Sequence, residues 1–267
     1  MKLCFSTLGC VEKTLPEILS LAQDHAMDAV EIRGIGGVLN NADISDFSEE
    51  NATKTKELFA KSGVRPLVLG TSCAFHTEEK CQAAMIEGQE AILIAQRLNI
   101  PFIRVFGNNI LPEAREESIA RVCDGIAALC RFAEDKNVTV LLEVHADFNT
   151  VDALEPVLKA LGTYKNFGLI WDVMHSHLGC GLHWIPFYEA IRPYIRHVHL
   201  KDITSDGTLV ATGDGEIPLL PIIDHLLSDG YDGYFSLEWE RKWKSYLAPI
   251  EEALARYLAL VDQRSVR

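Results

Sequence analysis

The chain has 267 residues, 48% of them hydrophobic and 24% charged, with a formal net charge of −13 at pH 7. That balance predicts a soluble globular protein with a large core and opposes a general nucleic-acid binder, which presents basic patches. No run of about 20 apolar residues is there to span a bilayer, the N-terminal apolar run is too short for an export signal, and seven scattered cysteines without a CxxC pair fit a reducing cytoplasm.

Short apolar stretches alternate with longer amphipathic ones. Residues 2–8 read as a strand, after which Thr14 and Glu17 form a capping box that opens a helix. A strand at 29–34 precedes a helix that Ser48 caps, that runs to Lys61 and that Gly63 closes. Strand 64–72 leads to helix 77–98, strand 102–107 to helix 112–136, and strand 139–145 to helix 150–161. Strand 167–175 leads to helix 186–194, strand 195–202 to helix 218–227, and strand 233–239 to helix 246–261. Eight such units with right-handed crossovers predict an α/β fold, a parallel sheet closed into a (β/α)8 TIM barrel. No Pro/Gly/Ser-rich linker divides it, so residues 1–267 are expected to form one barrel domain.

A strand sends alternate side chains to opposite faces. In IRHVHLKD (195–202), His197, His199 and Lys201 share a face, opposite Val198 and Leu200. In LLEVH (141–145), Leu141, Glu143 and His145 align. In GLIWDVMH (168–175), Ile170 and Asp172 align against Trp171, Val173 and His175. In YFSLEWE (234–240), Ser236, Glu238 and Glu240 align. Arg104 stands between Phe102 and Phe106 in FIRVFG, and Ala29, Glu31 and Arg33 oppose Val30 and Ile32 in AVEIRG. The apolar faces should meet the helices. The faces with acids, histidines and arginines should then point into the lumen, toward the C-terminal strand ends where such barrels carry their active sites.

Glu143, Asp172, His199 and Glu238 stand out, because they come from the fifth to eighth predicted barrel strands. Three neighbouring buried carboxylates repel one another unless a cation joins them. One divalent ion removes the problem, and an O,O,O,N donor set suits Mn, Mg, Co or Fe, with Zn also admissible. Without a cysteine among the four, a closed structural zinc site is not expected.

These stretches resemble the sugar phosphate isomerase/epimerase family with the xylose-isomerase-like barrel. The resemblance runs along essentially the whole chain, through TSCAFH (71–76), IRVFGN (103–108), LLEVH, LIWDVMH, IRHVHLKD and YFSLEWE. It implies that Glu143, Asp172, His199 and Glu238 bind one divalent metal and that His175, in DxxH, lies near the substrate. It also implies that Glu143 and Glu238 remove and return a proton on a carbon beside a carbonyl, the charge being stabilised by the metal. A homo-oligomer acting on a small sugar, ketose or related polyol, phosphorylated or not, is expected on the same ground.

The candidate substrate contacts are His175, Lys201, Arg104, His76 and Glu31. Arg104 in an apolar strand needs a partner, and Glu31 is the expected one; either also suits a substrate hydroxyl. Lys201 reads equally as a solvated strand end or as a holder of a substrate oxygen, and His76 is undecided. His145 and Glu240 line the mouth or face solvent. Phe187, Tyr188 and Trp243 sit on turns that would be exposed in a single copy. ATGDGEIP (211–218) reads as a plain loop, with phosphate binding at a helix start as the alternative. A dehydratase of a cyclic polyol or a dehydroshikimate-like acid would share the metal and the first proton transfer. An abasic-site endonuclease would need extra histidines that residues 104–108 and 211–218 lack, and a non-catalytic barrel would have no use for the four-residue set.

Overall fold

Eight parallel strands close on themselves in the computed structural model, which describes residues 1–266. They are β1 (Lys2–Ser6), β2 (Ala29–Ile32), β3 (Arg65–Ala74), β4 (Phe102–Phe106), β5 (Thr139–Glu143), β6 (Phe167–Asp172), β7 (Ile195–Leu200) and β10 (Tyr234–Leu237). Each pairs with its neighbours in sequence, and β10 closes against both β1 and β7. Between β7 and β10 lies a small antiparallel hairpin, β8 (Asp202–Ile203) and β9 (Leu209–Val210). The helices α1 (Leu15–Asp24), α2 (Ala52–Ser62), α3 (Glu78–Leu98), α4 (Arg115–Ala133) and α5 (Val151–Leu161) fill the first five crossovers. Then α6 (Val173–Cys180) and α7 (Trp184–Ile191) share the sixth, and α8 (Leu219–Ser228) and α9 (Ile250–Asp262) complete the shell. The expected (β/α)8 barrel is therefore the fold.

The boundaries follow local chemistry. The Glu17 carboxylate accepts the Thr14 backbone N–H at 2.8 Å and its hydroxyl at 2.7 Å, which fixes the start of α1. Gly63 ends α2 at φ 73°, a left-handed conformation that glycine adopts without strain. Ser48 does not cap that helix: α2 begins at Ala52, and the Ser48 hydroxyl accepts the Asn51 N–H at 3.2 Å within a turn. The last helix begins at Ile250 rather than 246, because Pro249 disfavours helical backbone at the residue before it. β6 stops at Asp172, three residues before the expected end. There the Asp172 carboxylate turns the chain into α6 by accepting the Met174 N–H at 2.9 Å and the His175 N–H at 3.1 Å.

Strand parity sets the two cores. The outward faces and the helices bury one large apolar cluster, in which Trp171 stacks on Tyr188 at 5.5 Å and packs near Phe187. Phe187 and Tyr188 are thus buried, not exposed turn residues, since the helix carrying them starts before Pro186 and lies flat on the barrel. The lumen holds a second cluster at the N-terminal strand ends: Cys4, Ala29, Leu67, Val68, Leu141 and Ile170, with Phe102 and Tyr234 against it. This plug makes the barrel solid below, so side chains two residues further along each strand form the floor of the open end.

Candidate active site

Most strands that supply a plug residue supply a polar one two positions later, β3 with Leu69 and Gly70 being the exception. Leu141 is followed by Glu143, Ile170 by Asp172 and Ala29 by Glu31, and all three acids are buried. Register brings Asp172 beside His199 and His199 beside Ser236, so β5, β6, β7 and β10 aim at one point. There Glu143, Asp172, His199 and Glu238 each offer an atom within 4.8 Å of the others. His199 Nδ1 lies 3.4 Å from Glu143 Oε1, 3.5 Å from Glu238 Oε2 and 3.8 Å from Asp172 Oδ2. It is buried and makes no hydrogen bond.

The other imidazole nitrogen explains that orientation. His199 Nε2 is 2.8 Å from Glu31 Oε2, and His197 Nε2 is 3.1 Å from the same oxygen. With the proton on Nε2, donated to Glu31, the Nδ1 lone pair faces the three carboxylates. A carboxylate behind a histidine in this way fixes the tautomer and ring angle of a metal ligand. Glu31 therefore stands behind the cluster, and the structure does not put it on the cavity wall with the substrate contacts. Nor is it the partner of Arg104. Arg104 Nη1 donates to Glu143 Oε2 at 2.7 Å, Nη2 donates to the Thr71 carbonyl at 3.1 Å, and the guanidinium lies 4.0 Å over the Phe106 ring.

Lys201 is buried, not a solvated strand end. Its ammonium reaches Asp172 Oδ2 at 2.8 Å and Glu240 Oε1 at 2.9 Å, and pairs closely with Glu238 Oε2. Burial alone would raise the pKa of Glu143, but Arg104 and then His199 outweigh it and hold the carboxyl well below the usual range. Burial is likewise outweighed at Glu238 and Asp172, chiefly by Lys201. The acids are thus ionised. Four buried carboxylates, including Glu31, stand with two buried cations that pair with them, Arg104 and Lys201, and a third, Arg33, lies further off on the same cavity. Burial lowers the His199 imidazole, but Glu31, Glu238 and Glu143 outweigh it and hold it well above its ordinary value, so the cluster favours one more positive charge, which a divalent cation would supply in place of the proton. The orphaned His199 Nδ1, the charge deficit and the oxygen-rich donor set all fit such an ion.

Above the cluster opens a cavity of about 330 Å³. Glu143, Glu238, Arg104, Lys201, His145 and Glu240 line it, together with Arg33, Ser72 and Asn108, which the sequence reading did not single out as contacts. Their signal was faint: Arg33 shares the inward parity of Glu31, and the other two lie at strand ends. His175 is in the first turn of α6, its ring 3.9 Å from that of His145, which in turn lies 4.9 Å from Phe106. His76 lies off the cavity wall, near Lys80 Nζ at 3.5 Å and Asn108 Nδ2 at 3.4 Å. Trp243 is exposed at the mouth. The glycine-rich segment 211–218 has its backbone donors taken. The Asp202 carboxylate accepts from Gly213, Gly215 and Ile217 at 2.9–3.1 Å, so the loop is stapled to its own strand end and no phosphate place remains.

The chain is 25% identical over 251 residues to the 3-dehydroshikimate dehydratase of Bacillus anthracis, covering 84% of each. It is 24% identical over 152 residues to the fructoselysine 3-epimerase of Escherichia coli O157:H7, covering 54% of each. Over several of its curated relatives the chain spans about half their length. Among solved structures, that of the IOLI protein with a zinc atom superimposes with a TM-score of 0.76 at 22% identity, covering 96% of this chain and 95% of that one. The relatives also include the inosose dehydratase of Yersinia enterocolitica, 25% identical over 143 residues and covering 45% of this chain and 47% of that one. A family model described as xylose isomerase-like TIM barrel matches residues 19–260, and the chain belongs to that family.

Proposed function

We propose that the protein is a divalent-metal-dependent isomerase or epimerase of a small sugar, ketose or related polyol. The observation that carries this reading is the pair Glu143 and Glu238. Both are ionised acids that line one cavity and flank the His199 nitrogen left without a partner. Glu143, Asp172, His199 and Glu238 would hold the ion, which, when bound, supplies Lewis-acid stabilisation of charge developing on a substrate carbonyl oxygen. Mn, Mg or Co suits the donors, and Zn or Fe is admissible; the zinc in the IOLI structure is consistent with that range.

The chain's own residues then move the proton. Arg104 and Lys201 keep Glu143 and Glu238 ionised, the state a general base requires. The two acids come from β5 and from just beyond β10, on either side of β6 and β7, so one takes a proton from the carbon beside the carbonyl and the other returns it from the far side. Lys201, bonded to Glu238 and Glu240, sets the angle of the second acid. His145 lines the cavity with Glu143, and His175, off the wall, packs against the His145 ring.

A second reading is a dehydratase, in which the same proton removal is followed by loss of a neighbouring hydroxyl. The 84% coverage of the 3-dehydroshikimate dehydratase supports it. Metal-loaded protein in deuterated water, given a panel of ketoses and cyclic polyol ketones, separates the two. Deuterium uptake with retained mass otherwise supports the first reading. A new conjugated absorbance with loss of water supports the second. Neither deuterium uptake into, nor loss of water from, any substrate that is bound sinks both.

Two further expectations carry forward as proposals. All seven cysteines are unpaired, as a reducing cytoplasm would keep them. Leu178, Leu182 and Ile185 around α6 and α7 are strongly exposed, which supports a homo-oligomer. Among the described residues, no helix is long and apolar enough to cross a membrane.

A further inference from the structure

The charges around the cavity leave one group unanswered. Arg33 is only 7% exposed, and it lines the cavity on the side away from the four candidate ligands. Its Nη1 donates to the Leu39 carbonyl at 3.2 Å and its Nη2 to the Ser72 hydroxyl at 2.7 Å. Both acceptors are neutral. Among the described residues, no carboxylate oxygen lies within 4.0 Å of it. Glu87 has the largest opposite-charge influence on it, but it spends its Oε1 on the Ser72 N–H at 2.6 Å. Glu240, another acid at the mouth, is held by Lys201 at 2.9 Å and Lys244 at 3.6 Å. Burial, and then Arg104, push the Arg33 guanidinium down to about 10.

The placement is built into the backbone. Gly70, on β3 between β2 and β4, lets two guanidinium groups lie across it. A Cβ at that position would meet Arg33 Cδ at 2.9 Å and Arg104 Nη2 at 3.1 Å. Any other residue would force these side chains to shift. Two like charges are thus held side by side, and the buried Arg104 Nε has no hydrogen-bond partner. Arg104 has Glu143 as its counter-ion and Arg33 has none, and a buried cation without one, beside a like charge, is costly. An anion with two or three oxygens relieves that cost, because guanidinium groups match carboxylate and phosphate geometry.

We propose that Arg33, with Arg104 and Ser72 across Gly70, forms a subsite for an anionic group on the substrate, a carboxylate or a phosphate. The inference rests on the functional reading above and narrows it to acidic polyols or sugar phosphates. The substrate would lie across the barrel mouth. Its anionic end would face β2, β3 and β4, and its reacting carbonyl end would face Glu143 and Glu238. Arg104 touches both ends of this arrangement through its bond to Glu143, whereas Arg33 touches only the anionic one, which makes Arg33 the residue to test.

The test compares matched pairs by titration calorimetry on manganese-loaded protein: ribulose 5-phosphate against ribulose, and quinate against inositol. The wild-type protein is expected to bind the anionic member of one pair more tightly, by about 10–100-fold for a charge-assisted contact of this kind. Arg33→Gln should lose that preference, and Arg33→Lys should retain part of it, with the circular dichroism spectrum and manganese content of both variants unchanged. Preference in the phosphate pair alone assigns a phosphate, and in the quinate pair alone a carboxylate. A wild-type protein without anionic preference, or a preference that survives in Arg33→Gln, overturns the proposal. Binding is read without turnover. A protein that prefers anions through Arg33 yet moves no proton would therefore sink the isomerase reading and spare this one, and the converse result would do the reverse.

Discussion

At the bottom of the lumen Leu141, Ile170 and Ala29 pack into a dry plug; two residues further along the same strands stand Glu143, Asp172 and Glu31, equally buried but charged. The backbone, the pairing and the depth in the barrel are nearly the same. The difference lies in what each layer needs in order to be stable. The lower one is stabilised by removing apolar surface from water, about 1.5–3 kcal/mol for a side chain the size of Leu141 or Ile170. The upper one is satisfied only if its charges are answered, by Arg104, by Lys201 and by the cation that the remaining deficit calls for. One layer holds the barrel shut and the other waits for a ligand. This separation lets a parallel barrel keep its fold while the chemistry at its mouth varies.

Substitutions in the two layers should therefore fail in different ways. The largest effect is expected in the upper layer. Glu143→Gln or Glu238→Gln preserves shape but removes a base, and solvent-deuterium exchange should fall by about 10²–10⁴-fold. Full exchange in both variants would end the two-carboxylate mechanism. In the lower layer, Leu141→Ala should cost about 2–5 kcal/mol in urea unfolding, through lost burial and a cavity. Metal content should not change, and if it fell with stability the layers would not be separable. The smallest effect belongs to the contact beneath the metal ligands. Glu31→Gln keeps a hydrogen-bond acceptor for His199 but loses the charge, and metal affinity in chelator competition should weaken by about 10–100-fold. An unchanged affinity would show that Glu31 does not orient the imidazole.

The sequence carried the layered arrangement because strand parity has a period of two. Once Val198 and Leu200 were assigned to the helices, His199 had to face inward, and the same logic placed Glu143 and Asp172. What period two does not carry is where a strand stops. Asp172 ends β6 because its own carboxylate caps α6, and this turned the expected strand residue His175 into a helix residue beside His145. Pairing across the lumen was also hidden. Arg104 found Glu143 on the adjacent strand rather than Glu31, since Glu31 was already taken by two histidines more than 160 positions away in sequence. Arg33 was visible only as an inward-facing residue, because its lack of a partner is a fact of three dimensions. The Asp202 staple of residues 211–218 escaped notice for the same reason, as no spacing rule links a strand-end acid to the backbone of the loop beyond it.

The account depends on four side chains sharing one ion. Elemental analysis of the purified protein, with Asp172→Ala and His199→Ala beside it, tests that most directly. About one divalent metal per chain is expected in the wild type, and clearly less in each variant at matched protein folding. Metal content that is the same in all three proteins, or absent from the wild type after incubation with manganese, would contradict it.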